Sequence, residues 1–322
     1  MNKKIIAIAI ASAMAAPVAM ADVTVSGQVG GHLTFAPKEV TTNQQNAGKA
    51  HRDFGDAGAS KITFDGTMGD AYVRVGMQVT PMFGGGSETG RDVYMGYNLG
   101  GGTSIQAGRM AGVAQNLEKD PYIATFLESR KTAAEAYTQS YFGNSGFIGS
   151  LIQVKAKVGG MTLTGQYDPT DNFSQSTHNG HIGLSLAGAA GAVNYWVSYN
   201  NGDANGQGTT ASTNQTNTKV GAAMKMGAAK ITVAVSDADF GTKSAGNKST
   251  STLVMGDFGM GNGLSLNAAY GSNGDKGTWM RAAVAKELNK GAKLYAGATS
   301  SKAAGAGATS VTVMGAGMIV KF

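Results

Sequence analysis

The chain has no cysteine. That excludes a disulfide framework and every thiolate metal site. It carries 5 Pro against 49 Gly. Low Pro with high Gly fits many strands joined by tight turns, with little interruption of the ladders. Beyond residue 21 no run approaches the ~18 apolar residues that a spanning helix needs. A helical membrane protein is thereby excluded. Charge is sparse, at 14% of residues with a net charge of +6, and the basic residues are scattered. This speaks against nucleic acid as a partner. The four histidines are His32, His51, His178 and His181, and the close pair His178 and His181 has no carboxylate beside it at metal-ligand spacing. Asp237 and Asp239 are read as solvated loop acids. Neither a phosphate-binding G-x-x-x-x-G-K-[ST] loop nor a G-x-S-x-G elbow occurs. No metal, cofactor or enzymatic activity is expected.

What the chain does have begins at its start. Lys3 and Lys4 precede an apolar run from Ile5 to Ala16, and Ala19-Met20-Ala21 forms a small-x-small cleavage site. Residues 1–21 therefore read as a secretory signal peptide, with a mature chain from Asp22. The apolar run is too short to serve comfortably as a membrane anchor, and no stop-transfer pattern follows it. Lys3 and Lys4 account for two of the six surplus positive charges, so the mature balance is only mildly basic. Residues 22–322 show no composition break that would split off a second domain.

At the other end, Met314, Ala316, Met318, Val320 and Phe322 share one face of an alternating run, opposite Gly315, Gly317, Ile319 and Lys321. Period two means a strand. Similar runs of about ten residues, the length of a tilted transmembrane strand, recur along the chain. They are read at 23–35, 57–65, 71–80, 91–99, 103–110, 146–158, 161–168, 180–186, 192–200, 218–226, 229–237, 249–258, 264–271, 278–288, 292–299 and 310–322, which makes sixteen. An even number fits a bacterial barrel, and this size leaves an aqueous channel.

Short turns of Gly, Asn and Asp alternate with long polar loops at 37–55, 81–90, 111–145, 169–179, 201–217, 240–248, 272–277 and 300–309. A barrel with periplasmic turns and extracellular loops has this alternation. Several strands divide cleanly. Val73, Val75, Met77 and Val79 oppose Arg74 and Gln78, and Ile152, Val154, Ala156 and Val158 oppose Gln153, Lys155 and Lys157. The apolar face would be the core of a soluble sandwich or the lipid face of a barrel, and pattern alone does not separate the two. Export signal, loop alternation, length and the terminal Phe322 together favour the barrel. Tyr94, Tyr97, Tyr167, Tyr195, Tyr199, Tyr270 and Tyr295 fall on strands, and those facing outward would form interfacial girdles.

The connection 111–145 is the longest, and it differs from the others in having something to bury: Leu117, Ile123, Phe126, Leu127, Tyr137, Tyr141 and Phe142. The stretch 130–136 reads as a helical turn. A loop this long inside a compact fold is functional or disordered, and its apolar anchors argue against disorder.

The stretch Arg91-Asp92-Val93-Tyr94-Met95-Gly96-Tyr97, followed by Gly102-Thr103-Ser104-Ile105-Gln106-Ala107-Gly108-Arg109, is similar to an R-x-A-Y-V-G-L … G-x-L-x-L-G-R pair. That pair belongs to the trimeric general diffusion porins of Gram-negative bacteria, of the neisserial and β-proteobacterial type. Residues 284–296 resemble the Y-x-L-S-K-R-T-x-L-Y-A hairpin of the same family, departing at Ala285, Asn289 and Gly291. Residues 316–322 resemble its closing strand.

The resemblance implies an all-β, 16-stranded antiparallel transmembrane barrel in the outer membrane, with a third extracellular loop folded into the lumen. It implies a homotrimer that passes small hydrophilic solutes and ions passively. It also implies that Phe322 is read by the barrel-assembly machinery as an insertion signal. By resemblance, 111–145 is the constricting loop and its acids are Glu118, Asp120, Glu128 and Glu135. The family opposes such acids with a basic wall. Lys61, Arg74, Lys155 and Lys157 fall on the lumen face by parity, while Arg91 and Arg109 match the motif arginines. Strict alternation would put those two among the lipid-facing residues, so either a bulge intervenes or they sit at the rim. Surplus wall Lys and Arg lead to an expected mild anion preference. The alternatives are a substrate-selective porin, in which Trp196 would be one lumenal aromatic, a barrel enzyme, and a plugged structural barrel.

Overall fold

Backbone N–H and C=O groups in hydrocarbon have no water to pair with, so a sheet that crosses a bilayer must close on itself. The computed structural model describes residues 22–36, 51–55, 60–79, 89–113, 117, 120–122, 125–127, 147–169, 182–202, 215–239, 248–273, 277–303 and 310–322. Strands come in chain order as β1 (Asp22–Ala36), β2 (His51–Gly55), β3 (Lys61–Met68), β4 (Ala71–Gln78), β5 (Thr89–Gly100) and β6 (Thr103–Ala111). Next are β7 (Phe147–Val158), β8 (Met161–Tyr167), β9 (Ile182–Ala190), β10 (Val193–Gly202), β11 (Gln215–Met226) and β12 (Ala229–Asp239). The last are β13 (Lys248–Gly261), β14 (Leu264–Asn273), β15 (Gly277–Glu287), β16 (Ala292–Ala303) and β17 (Ser310–Lys321).

Neighbours in sequence pair antiparallel, and β17 returns to β1 to close the ring. The 17 segments make a 16-stranded barrel because β2 and β3 share one strand position. One edge of β1 pairs with β3 from Asp22 to Gln28 and with β2 from His32 to Ala36. Between the two stretches, the Gly30 N–H donates to Ser60 Oγ at 3.2 Å, which bridges the break. The sequence reading, which placed the second strand at 57–65 and a loop at 37–55, is corrected here. His51-Arg52-Asp53-Phe54-Gly55 pairs as strand although it carries no alternating signal. Most other strands also run past their expected ends on the long-loop side: β13 starts at Lys248, β14 ends at Asn273 and β16 ends at Ala303. Pairing continues there into water, where neither face has to be apolar.

The two-residue turns sit at one end of the barrel and the long connections at the other. At the β7–β8 turn Gly159 and Gly160 have φ of 55° and 83°. Both central residues of a type I′ hairpin require positive φ, and glycine adopts it without a Cβ clash.

The outward face is apolar, as alternation predicts. Val73, Val75, Ile152, Val154, Val233, Val235, Met314 and Met318 all lie exposed on it. Tyr97, Phe258 and Phe322 are exposed toward the turn end, and Phe35, Tyr167, Tyr199 and Tyr270 toward the loop end. Two aromatic bands on either side of an apolar belt mark the two membrane interfaces. Tyr94 and Tyr295 point the other way, into packed lumenal clusters.

The seam of the barrel ends on Phe322. Gly27 and Phe322 exchange both backbone hydrogen bonds, at 2.9 and 3.1 Å. The Phe322 ring lies over Gly27, where a Cβ would stand 2.5 Å from ring carbon Cζ and 2.7 Å from the Lys61 carbonyl oxygen. A Gly27→Val substitution is therefore expected to cost about 1–3 kcal/mol. It should lower the temperature at which the folded band is lost in an unheated-versus-heated electrophoresis series. Gly149→Ala, whose Cβ meets nothing within 4 Å, should leave that temperature unchanged.

Candidate functional site

The inward face of the barrel is where polar and charged side chains collect. The long connection after β6 crosses this lumen, and its described residues trace the crossing. It leaves the wall at β7 and β8. There Gln166 Oε1 accepts a hydrogen bond from the Val113 N–H at 2.9 Å, and Gln166 Nε2 donates to the Ala111 carbonyl at 2.9 Å and to Gln153 Oε1 at 2.7 Å. Leu117 then packs against an apolar patch contributed by β10 to β15: Trp196, Ala234, Leu253, Met255, Ala269 and Trp279. Both indoles lie flat on the wall over glycines. A Cβ at Gly221 would come within 2.3 Å of the Trp196 ring, and one at Gly271 within 2.0 Å of the Trp279 ring.

Asp120 is the pivot of the crossing. It meets Arg281 of β15, whose Nη1 lies 2.9 and 3.0 Å from the two carboxylate oxygens. The two side chains are only 1% and 0% exposed. The guanidinium is held on every side. Its Nη1 also donates to the Leu127 carbonyl at 2.6 Å, and its Nε donates to Asn267 Oδ1 at 2.7 Å. Asn267 in turn donates to Asp257 at 2.6 Å. The Tyr122 ring covers the guanidinium at 4.8 Å. Buried charges persist only when paired and hydrogen-bonded in this way.

Beyond the pivot the loop reaches β16, β17 and β1. The Lys293 ammonium donates to the Pro121 carbonyl at 3.3 Å. Tyr122 and Phe126 pack on Tyr295 with ring centroids 6.4 and 6.0 Å apart, and Phe126 meets His32 of β1 at 5.5 Å. Burial pushes the Tyr122 phenol up to about 12, so it stays neutral at any physiological pH. Withdrawing Leu117, Tyr122, Phe126 and Leu127 from lumenal water contributes about 1.5–3 kcal/mol each.

The wall from β3 to β7 is different. The lumenal face of β3 to β5 carries a polar network of its own. On that face Arg74 forms a two-toothed pair with Asp65, at 2.6 and 3.0 Å. Tyr72 donates to Gln106 at 3.0 Å and meets Tyr94 edge-on at 6.4 Å. Lys61 lies within electrostatic reach of Arg91, Asp92 and Arg74, and Lys155 within reach of Arg74 and Asp92. Lys157 stands near the turn end, where its backbone N–H donates to the Gly102 carbonyl.

The two motif arginines part company. The register of β4 with β5 slips between Val75 and Met77, so that Arg91 and Asp92 together face Gly76. This bulge takes Arg91 out of strict alternation, and its guanidinium lies 4.8 Å over the Phe147 ring. Arg109 keeps the outward side with Ile105 and Ala107. It is exposed near the loop end of β6, and its Nε donates to the Gly90 carbonyl at 2.9 Å. Its expected place on the pore wall is corrected to the outer rim.

Asp120, expected as a constriction acid facing the basic wall, is buried against the opposite wall instead. Its charge is already matched by Arg281, which takes it out of any field across the channel. Glu118, Glu128 and Glu135 lie outside the described residues, as do the 130–136 stretch and the expected signal peptide at 1–21. Sequence reasoning missed Arg281, Tyr295, Trp279 and Lys293. Arg281 had a usable signal: it shares its face with Trp279, Ala283 and Ala285, opposite Met280, Ala282 and Val284. A lone cation on such a face calls for a buried partner.

Residues 7–306 match the profile of the Gram-negative porin family. Among curated protein sequences none matches the chain. The fold is similar to that of an anion-selective porin from Comamonas acidovorans, with 17% identity over 94% of this chain and 100% of that one and a TM-score of 0.72. It is also similar to OmpT, an outer membrane protein of Vibrio cholerae, with 14% identity, 95% and 100% coverage and a TM-score of 0.67. OmpF of Salmonella typhi, solved with daunomycin, gives 15% identity, 93% and 97% coverage and a TM-score of 0.66. The chain belongs to the Gram-negative porin family, and it forms a diffusion channel in the outer membrane.

Truncating one member of a buried ion pair costs about 3–5 kcal/mol, because the other charge is left without a partner. Arg281→Met is therefore expected to loosen the loop. Single-channel records should become larger and noisier, and emission from Trp196 and Trp279 should shift to the red. Adding Asp120→Asn to Arg281→Met removes the stranded charge and should recover part of the lost thermal stability. Equal stability of the single and double variants would contradict the pairing.

Proposed function

We propose that this porin is a homotrimer of water-filled channels, each narrowed by the inward loop and each with a mild preference for anions. The observation that carries the preference is the charge of the wall left facing the channel. Lys61, Arg74, Arg91, Lys155 and Lys157 stand there against Asp65 and Asp92, and Arg74 is already matched by Asp65. Against Asp92, the surplus therefore rests on Lys61, Lys155 and Lys157. A cleft lined by one sign of charge raises the local concentration of counter-ions. Fixed charges along a pore wall weight the ions that pass, while the open width sorts solutes by size. That the similar chain from Comamonas acidovorans is an anion-selective porin agrees with this reading.

The leader 1–21 is cleaved after Ala21. The barrel-assembly machinery recognises the closing strand through Phe322, and the outer belt buries against lipid and two further copies. Glu118, Glu128 and Glu135 would supply the acidic side of the transverse field; Asp120 would supply loop position.

Each wall lysine about 8 Å from a passing ion in water contributes on the order of 0.5 kcal/mol, roughly a twofold change in permeability ratio. In a planar bilayer under a salt gradient, the reversal potential should carry the sign of anion preference. Lys61→Gln with Lys155→Gln should move it toward zero or past it, with single-channel conductance retained. High salt should shrink the difference by screening. A reversal potential of cationic sign in the unmodified protein would overturn the preference.

A further inference from the structure

Arg281 is held from behind as well as from the loop, and the diffusion reading gives the groups behind it no role. Cross-strand pairing sets Lys225, Lys230, Asp257 and Asn267 in one lumenal row across β11 to β14, near the turns. Asn267 is buried, and it stands diagonally from Arg281, which pairs with Ala269 one lumenal step nearer the long loops. The Lys230 ammonium lies 3.9 Å from Asp257 Oδ2. Tyr122 of the loop and Lys293 of β16 lie within electrostatic reach of the same carboxylate.

The Asn267 carboxamide can face only one way. Its Nδ2 donates to Asp257 Oδ1 at 2.6 Å and to the Gly256 carbonyl at 3.3 Å, and its Oδ1 accepts from Arg281 Nε at 2.7 Å. Turned over, the amide nitrogen would meet the guanidinium N–H, and the oxygen would meet two acceptors. An ionised acceptor makes the Nδ2 bond a strong one. It is also the one hydrogen bond of the Asp257 carboxylate among the described residues, since Oδ2 makes none. The guanidinium is a rigid planar fork, so fixing Nε fixes where Nη1 points. Nη1 is the atom that holds Asp120 and the Leu127 carbonyl.

We propose that Asp257 is a positioning residue for the loop that narrows the channel. It orients the Asn267 carboxamide, the carboxamide aims the Arg281 guanidinium, and the guanidinium holds the loop at Asp120 and Leu127. Groups keep a working geometry only when the residues behind them are themselves locked by packing and hydrogen bonds. Lys230 stands against the charge of Asp257 at the turn end of the row, so Arg281 remains matched by Asp120. The inference rests on the reading of the inward loop as the narrowing element, and adds the residue that keeps its anchor aimed.

The test places a thiol under the loop by Leu127→Cys, in a chain with no thiol of its own. That change keeps the backbone carbonyl that Arg281 holds. Modification by a membrane-impermeant sulfonate thiol reagent is followed in the folded protein, beside single-channel current. Asp257→Ala should raise the modification rate about tenfold, as loss of one charge-assisted hydrogen bond would. Asp257→Asn still offers Asn267 an oxygen and should stay within about twofold of the starting rate. In an Arg281→Met background nothing is left to aim, so Asp257→Ala should add no further rise. Each variant is compared after it is shown to migrate as a folded barrel without heating. If Asp257→Ala does not, Asp257→Ser takes its place, with a smaller rise expected. An unchanged rate in the truncated variant overturns the proposal. So does an equal added rise in both backgrounds, because Asp257 would then act without Arg281. A faster thiol reaction with unchanged single-channel current upholds the positioning role and overturns the reading of the loop as the narrowing element.

Discussion

Every feature of this molecule depends on the closure of its hydrogen-bond ladder. A strand edge left open in hydrocarbon would expose a row of unpaired N–H and C=O groups, so the first strand must find the last. It does so from Gln28 to Phe35, and the ring is completed by the reciprocal Gly27–Phe322 pair. Once closed, the barrel has two kinds of surface and no third. The outer one must suit lipid, and the inner one is left to carry water, charge and the loop. The break between β2 and β3 shows how little slack the closure allows. The break falls where Ser60 can take over the Gly30 N–H that the ladder would otherwise have paired.

The lumen is then divided by the loop into two walls of opposite use. From β10 round through β17 to β1, the wall is a seat: two indoles laid flat over glycines, Tyr295 under two loop aromatics, and Arg281 holding Asp120. From β3 to β7 it remains a channel surface, where Lys61 lies within electrostatic reach of Arg91 and Arg74, and Lys155 within reach of Arg74. The division follows from charge as well as shape. The loop's described carboxylate is spent on Arg281, so it does not neutralise the cations across the channel. A porin of this kind can have a fixed loop and a basic wall together, because the acid that fixes the loop is not the acid that would balance the wall.

Much of this was legible in the sequence. Period-two alternation located nearly every strand, since a membrane barrel writes lipid against water into each one. It failed at residues 51–55, where the chain pairs above the apolar belt and neither face is under hydrophobic constraint. Parity assigns Lys61, Arg74, Lys155 and Lys157 to the inner face. It could not place Arg91, because the bulge at 91–92 adds a residue that only the partner strand reveals. The role of Asp120 was out of reach for a different reason. Its partner lies 161 residues away, and that distance in sequence carries no local pattern. The same holds for the Trp196 and Trp279 platform, whose glycines sit on neighbouring strands.

The division of the lumen can be probed directly, because the native chain offers no thiol of its own. Single cysteines would be placed by Lys155→Cys on the channel wall and by Ala269→Cys on the seat beneath Leu117. A membrane-impermeant sulfonate thiol reagent would then be applied to open channels while current is recorded. The account predicts stepwise conductance loss for Lys155→Cys and none for Ala269→Cys. Rapid block at Ala269→Cys with Lys155→Cys silent would place the water path behind the loop and contradict it.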